Sequence, residues 1–322
     1  MSLALHGGAG AISQQLLSHQ RREEYRDGLR HALQIGTEIL KDGGTAMDAV
    51  SQTVVSLENC PLFNAGKGAV FTADETIELD ASIMCGQSGA AGAMAGVKTL
   101  KNPILGARIV LEHSPHVFLV GKGADAYGGL HGAEQVSPDY FETDTRREQL
   151  HTFQAENRID LDHNDDAPDT RSPVNLGTVG AVALDHEGNL AAATSTGGMT
   201  NKEFGRVGDS PLIGSGTWAS NSTCAISCTG QGEYFILGAV ARDIDARIRY
   251  GGETLAQAAV ASLTEHVMIP GGQGGLIAVD KTGKVVMPFN SLGMYRASWS
   301  NLTGQNHVSI WKRSPSDRSS TR

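Results

Sequence analysis

The sequence predicts an α+β fold: two antiparallel-rich sheets packed face to face with helices outside, a four-layer αββα sandwich. Three observations carry this expectation. Strand-like and helix-like segments come in blocks and not in strict β–α alternation, which argues against a doubly wound parallel sheet. Hydrophobic residues make up 40% of the 322-residue chain and charged residues 19%, enough apolar material for one large core or two modest ones. Gly is abundant (40 residues) while aromatic content is only 5%, so small residues must supply close backbone packing and tight turns.

Taken in order, residues 2–6 read as a short buried strand ending in His6-Gly7-Gly8-Ala9-Gly10. A long helix follows to about Lys41, with Tyr25, Leu29, Ala32, Leu33, Gly36, Ile39 and Leu40 on one face and Gly43-Gly44 as its stop. Thr45 caps the next helix with Asp48 as partner, and Cys60-Pro61-Leu62-Phe63-Asn64-Ala65-Gly66 breaks it. Strands are expected at Ala69–Thr72, Ile77–Met84 and Ala91–Val97, then a helix from Pro103 to Glu112 and a strand Val117–Val120. Residues 140–176 lose all periodicity and turn polar, with Asp162-His163-Asn164-Asp165-Asp166 at the centre, so they are expected to form a linker. A buried strand Thr178–Asp185 then begins abruptly and turns at Gly188-Asn189 into Leu190–Thr196. A Gly-rich stretch (197–222) precedes a strand Cys224–Cys228, two helices (about 233–249 and 253–267) and strands Leu276–Val279, Val285–Pro288 and Met294–Trp299. The last 20 or so residues are Ser/Arg-rich and are expected to fray.

Composition excludes several classes of function. The net charge is −9 and no basic face is visible, unlike a nucleic-acid binder. An anionic substrate would need locally placed arginines. No stretch approaches the ~20 apolar residues of a membrane span, and the start lacks the pattern of a signal peptide, so a soluble cytoplasmic protein is expected. Cys60, Cys85, Cys224 and Cys228 match no zinc-ligand spacing and read as reduced thiols, the last two on one side of a strand. Gly121-Lys122-Gly123 does not complete a phosphate loop, no G-x-S-x-G elbow occurs, and no H-E-x-x-H occurs.

The informative boundary is Asn175-Leu176-Gly177-Thr178, where the polar linker meets a buried strand whose first residue is a threonine. A threonine in a strand is ordinarily just a good β-former. Cleavage of the Gly177–Thr178 bond would instead give Thr178 a free α-amine, with a reference pKa of ~7.7–8.0, beside its own hydroxyl. That amine can serve as general base for an alcohol too weakly acidic to act unaided. Gly177, lacking a side chain, can take the strained geometry that exposes its carbonyl to the Thr178 hydroxyl.

Here the chain resembles a known family. Gly177-Thr178-Val179-Gly180-Ala181-Val182-Ala183-Leu184-Asp185, Thr194-Ser195-Thr196-Gly197-Gly198 and Gly205-Arg206-Val207-Gly208-Asp209-Ser210-Pro211 look like the plant-type L-asparaginase/isoaspartyl peptidase family. His6–Gly10 and Pro61–Gly66 are similar to its α-subunit, and the likeness runs from residue 3 to about 297. The resemblance implies an Ntn-hydrolase fold, an α-subunit of 1–177 (linker about 150–177), a β-subunit of 178–322, and assembly as an (αβ)₂ heterotetramer. It implies autocatalytic cleavage between Gly177 and Thr178 and hydrolysis of β-aspartyl (isoaspartyl) peptides and L-asparagine through an acyl-threonine. Thr178 would be the nucleophile and Thr196 the hydroxyl supporting its amine. Thr229 and the Gly230 N–H would form the oxyanion hole, such donors each contributing ~3 kcal/mol. Arg206 would bind the substrate α-carboxylate and Asp209 its α-ammonium, with the Gly232 backbone alongside. Taken alone, Arg206 and Asp209 also read as a surface i,i+3 ion pair.

Gln231 stands where relatives often carry a small or hydroxylated residue, at the leaving-group side. No catalytic cofactor is implied. The segment Leu57–Lys67 resembles the family's sodium loop, in which backbone carbonyls of Leu57, Glu58, Cys60, Phe63, Ala65 and Lys67 hold a structural ion. Two alternatives stay open: a glycosylasparaginase-type amidase, against which the absent signal peptide and disulfide pattern speak, and a ligand-binding relative that never matures.

Overall fold

The computed structural model describes residues 1–156 and 177–312. The centre of the linker, Asp162–Asp166, and residues 313–322 lie outside the described residues. Elements are numbered in chain order.

The larger sheet is built around β1 (Ser2–Gly10), every residue of which is buried. It lies antiparallel between β11 (Gly293–Ser300) and β5 (Val179–Leu184). Beyond β11 comes β12 (Asn306–Ser309). Beyond β5 come β6 (Leu190–Thr196), β2 (Leu79–Cys85), β3 (Ala91–Val97) and β4 (Phe118–Val120). Only the β3–β4 pair is parallel among these. The second sheet runs β10 (Val285–Val286), β9 (Gly274–Asp280), β8 (Cys224–Gly230), β7 (Thr217–Ala219), all antiparallel. The first strand of the chain thus sits between two strands from after residue 177, so the two halves share one sheet.

Strand alternation explains the layers. Leu3 and Leu5, Ala181 and Ala183, and Ala191 and Ala193 face one way, onto α1 (His19–Lys41) and α2 (Ala46–Glu58). Ala4, Val182 and Ala192 face the other way, against Ala225, Ile277 and Val279 of the second sheet. The opposite face of that sheet, Cys224, Ile226, Cys228, Leu276 and Ala278, meets α7 (Val240–Gly251) and α8 (Leu255–Leu263). Helix, sheet, sheet, helix is the αββα sandwich read from the sequence. The interior between the sheets is rich in alanine, with Phe289 and Trp218 as its aromatic members. Cys224 and Cys228 share a buried face, and all four cysteines are free thiols.

Local chemistry sets the boundaries. Ser18 caps α1 by accepting from the Arg21 N–H, and Thr45 caps α2 by accepting from the Asp48 N–H. Pro103 opens α3 (Pro103–His113), where a missing N–H costs nothing. Four expectations are corrected. Residues 140–156 are not structureless: Pro138–Phe141 form a 3₁₀ turn and Thr143 caps α5 (Asp144–Ala155). Its charged composition hides Leu150 and Phe153, three apart on one buried face with Arg146, whose Nε donates to the Gly68 carbonyl at 2.8 Å. Ala69–Thr72 are buried but form no strand beyond a single parallel bridge of Thr72 to Lys202, Gly66 (φ 50°) and Gly68 (φ 117°) turning the chain just before them. The helix expected at 233–249 is two: α6 (Gly232–Leu237) stops before Ala239, whose φ of 43° no helix continues through. The tail is pinned as far as Trp311, whose indole N–H donates to the Ile12 carbonyl at 2.7 Å. Also present but not read from the sequence is α4 (Gly121–Leu130).

Candidate active site

Thr178 and Thr196 start and end antiparallel neighbours, since Val179 pairs with Ser195 in the β5–β6 ladder. Both side chains face the second sheet. The Thr178 hydroxyl donates to Thr196 Oγ1 at 3.2 Å and lies 3.3 Å from Ser210 Oγ. Thr196 Oγ1 also accepts from the Gly198 N–H at 3.0 Å, so it is held from both sides. Asn64 ties this turn to the Pro61–Gly66 loop: its Nδ2 donates to the Gly198 carbonyl at 2.7 Å, and its Oδ1 accepts from the Val70 N–H at 3.0 Å.

β1 brings its glycine run against the same point. A side chain on Gly177 would meet the Gly8 Cα at 2.1 Å, and one on Gly8 (φ 112°) would meet the Gly177 Cα at 2.3 Å. The two backbones touch, which only glycine at both positions allows. One residue on, the Ala9 N–H donates to Thr229 Oγ1 at 3.3 Å. Thr229 is buried, and Gly230 follows with a φ of 146° that favours glycine. Beneath, His6 is buried with Nδ1 2.8 Å from the Thr178 carbonyl. Burial pushes its imidazole down to about 3, the Thr178 carbonyl opposing the shift only in part.

The charged pair does not form the surface salt bridge that its spacing allows. Arg206 instead makes a two-pronged bond to Glu233, Nε and Nη2 donating to the two carboxylate oxygens at 2.9 and 3.0 Å. Burial raises Glu233, but this bond and the Arg206 charge outweigh it and hold its carboxyl below the usual range. Asp209 is buried, and its Oδ2 has no hydrogen-bond partner among the described residues. Burial pushes Asp209 up to about 6, with Arg206 pulling the other way. Gly232 lies between the two: a side chain there would come within 2.9 Å of Asp209 Oδ1 and 3.0 Å of Arg206 Nη2. A continuous set therefore runs Thr196, Thr178, Ser210, Asp209, Gly232, Arg206.

Sequence reasoning did not single out Ser210, Glu233, Asn64 as a side chain, or His6 as a side chain. Ser210 had a signal in adjoining Asp209. Glu233 had none, because nothing in a sequence says which acid an arginine will choose. Gln231 turns away into its own frame, its Oε1 accepting from the Gln273 N–H at 2.8 Å.

The loop at 57–67 offers carbonyls as donors. Those of Glu58, Cys60 and Phe63 accept backbone N–H groups from Lys67, Phe63 and Ala65, leaving each a second lone pair, while the Leu57 carbonyl accepts from both Asn59 and Cys60. An all-oxygen, uncharged donor set suits a hard monovalent ion. Among the described residues no group of three or more His, Cys, Asp or Glu side chains is placed to hold a metal, and no helix is long and apolar enough to cross a membrane.

Residues 1–310 match the family model described as asparaginase. An isoaspartyl peptidase of Escherichia coli is 52% identical, over 92% of this chain and 91% of that one. A probable isoaspartyl peptidase/L-asparaginase of Arabidopsis thaliana is 40% identical, over 97% of this chain and 99% of that one. A human isoaspartyl peptidase/L-asparaginase is 42% identical, over 89% of each. With a matching family model over nearly its whole length and relatives of this identity over nine-tenths of it, the chain belongs to the asparaginase family whose members include the plant isoaspartyl peptidase/L-asparaginases.

Proposed function

We propose that the chain is an isoaspartyl peptidase/L-asparaginase that severs its own Gly177–Thr178 bond and then uses Thr178 to hydrolyse β-aspartyl amides. One observation carries this reading: the Thr178 hydroxyl lies within 3.3 Å of Thr196 and Ser210, and Ser210 adjoins Asp209, which borders Arg206 across Gly232. A nucleophile and two opposite charges thus converge. The names of the relatives support the substrate class.

Maturation begins when Thr178 Oγ1 attacks the Gly177 carbonyl carbon. The C–N bond breaks, the nitrogen takes the hydroxyl proton, and a water splits the resulting ester to leave a Gly177 carboxylate and a free Thr178 amine. In turnover that amine accepts the Thr178 hydroxyl proton as Oγ1 attacks the β-carbonyl of the substrate. Thr196 Oγ1 holds the amine in place. Thr229 Oγ1 and the Gly230 N–H receive the charge on the tetrahedral oxygen. The proton passes to the leaving amine or ammonia, and water then releases L-aspartate from the acyl-threonine.

Arg206 takes the α-carboxylate with the two-pronged geometry it now offers Glu233. Asp209 takes the α-ammonium with its unpartnered Oδ2, and Gly232 leaves the room between them. The 1–177 and 178–322 pieces stay joined because β1 pairs with β5 and β11, and two such units assemble as an (αβ)₂ heterotetramer. The carbonyls of Leu57, Glu58, Cys60, Phe63, Ala65 and Lys67 would hold a structural sodium ion that takes no part in the chemistry. The four free thiols accord with a reducing, cytoplasmic setting. The test is intact mass and activity together. The reading requires two fragments, the second starting at Thr178, and release of aspartate from a β-aspartyl dipeptide. A single uncut chain with full activity overturns it.

A further inference from the structure

The space between the two sheets is layered. One layer is apolar, formed by Ala4, Met84, Val182, Ala192, Ala219 and Ala225. Two residues along each strand the same positions carry His6, Ser82, Gly180, Thr194, Thr217 and Ser227. All the side chains of that second layer are buried, and they form one connected row. His6 Nε2 is 2.9 Å from Ser227 Oγ, which is 2.7 Å from Thr194 Oγ1. Thr194 Oγ1 accepts from Thr217 Oγ1 at 2.6 Å, and Thr217 Oγ1 is 2.8 Å from Ser82 Oγ. Ser82 also reaches the Ser210 carbonyl at 2.6 Å.

The direction of the protons in this row follows from its His6 end. The Thr178 carbonyl can only accept, so His6 must carry its proton on Nδ1. Burial keeps the ring singly protonated, so Nε2 is bare and accepts from the Ser227 hydroxyl. Ser227 Oγ then accepts from Thr194, Thr194 from Thr217, and Thr217 from Ser82, whose proton is shared with the Ser210 carbonyl. Ser227, Thr194, Thr217 and the imidazole point the same way, with Ser82 bridging the row to the Ser210 carbonyl, an arrangement in which each bond polarises the next. The two ends grip the backbone of Thr178 and of Ser210, whose hydroxyls meet at 3.3 Å in the site. Gly180 explains itself here: a side chain at 180 would fall 2.0 Å from Ser227 Oγ and 2.5 Å from His6 Nε2.

We propose that His6 is a positioning residue for the nucleophile, held by the one-way row Ser82–Thr217–Thr194–Ser227 so that its Nδ1–H fixes the Thr178 carbonyl and with it the aim of the Thr178 hydroxyl and amine. His6 touches no reacting atom and moves no proton to substrate. It acts in both reactions of Thr178, because both need the same rigid backbone. This rests on Thr178 being the nucleophile.

The experiment compares full-length Ser227→Ala, His6→Asn and Thr178→Ala with the parent chain. It follows the cleaved fraction by intact mass, kcat and KM on a β-aspartyl dipeptide, and the ¹⁵N shifts of the imidazole signal that vanishes in His6→Asn. The expected result for Ser227→Ala is a loss of about tenfold or more in both the self-cleavage rate and kcat, the scale on which small misplacements act. KM should stay within about threefold, since Arg206 and Asp209 are untouched. In the parent chain Nε2 should give the shift of a bare nitrogen and Nδ1 that of a protonated one. A melting temperature that falls while cleavage and kcat per folded molecule stay at parent values makes the row merely structural and overturns the proposal. A proton found on Nε2 overturns it too. Should His6→Asn not fold, Thr194→Val breaks the row one link further from the imidazole and must show the same kcat-against-KM split. If Thr178→Ala turns over substrate, the nucleophile assignment itself falls. If Thr178→Ala is dead while Ser227→Ala is normal, only the positioning role falls.

Discussion

The two sides of the candidate site are built differently. Thr178 and Thr196 stand at the ends of neighbouring central strands, with register set by the ladder, and their hydrogen-bond partners are hydroxyls, a backbone N–H and one buried imidazole, with Asp80 opposite Thr196 across the next ladder. Arg206 and Asp209 stand in a connection between strands, just after Asn201 (φ 61°), Phe204 (φ 53°) and Gly205 (φ 69°), and their surroundings are charged. Phe204 is fully exposed, while Thr178 is almost wholly buried. Thr178, the proposed nucleophile, is placed by regular backbone pairing that leaves little freedom. The proposed clamp is placed by a strained loop and by compensating charge, Glu233 standing opposite Arg206. Chemistry that depends on tenths of an ångström sits on strands, and recognition that depends on charge sits on a loop.

Changes on the two sides should therefore fail in different ways. Thr178→Ala is expected to stay a single uncut chain with no measurable turnover, since both proposed reactions use that oxygen; intact mass and aspartate release check it. Arg206→Lys should raise KM by about 10- to 100-fold, because a point charge replaces a two-pronged bond of roughly 1.5–3 kcal/mol, while self-cleavage proceeds as before. If self-cleavage fails as well, the separation of the two sides is wrong.

Two smaller effects concern protons. Asp209, raised to about 6, must be ionised to take an ammonium group, so kcat/KM should fall as pH drops through about 6. The same limb should be missing from a substrate analogue lacking the α-amine. His6 has a folded value of about 3 against the ordinary 6.5 of an unfolded chain, so between these values the unfolded chain binds the extra proton. Its contribution to stability is full above 6.5 and is lost as pH falls toward 3. Between pH 6.5 and roughly 4 this amounts to at most about 3 kcal/mol. Chemical denaturation of the parent chain and His6→Asn at a series of pH values should show a shallower acid-side slope in the variant.

Much of the fold was legible. The helices ending at Lys41 and starting after Thr45, and the strands Ala91–Val97 and Leu190–Thr196, have clean periodicity and caps that are local in sequence. The misread stretches share a cause. In α5 the apolar face is only Leu150 and Phe153 among charges, and its helical state depends on packing against the Gly66–Gly68 turn. The break at Ala239 leaves no mark, since alanine is the best of helix formers.

The residues of the site divide in the same way. Thr178, Thr196, Arg206, Asp209, Thr229, Gly230 and Gly232 could be named because short strings around them carry the family resemblance. Ser210, Glu233 and the row from His6 to Ser82 could not, because each matters only through a neighbour tens or hundreds of residues away.

By itself the sequence determined most of the strands and helices, the layered sandwich and the family. These depend on spacing within a dozen residues, where side-chain period and backbone preference act directly. Only the tertiary structure decided that Arg206 faces Glu233, that Gly8 and Gly177 touch, and that an imidazole on the first strand points its proton at the Thr178 carbonyl. Those are outcomes of how two sheets stack, and stacking brings together groups whose separation along the chain carries no trace of their distance in space.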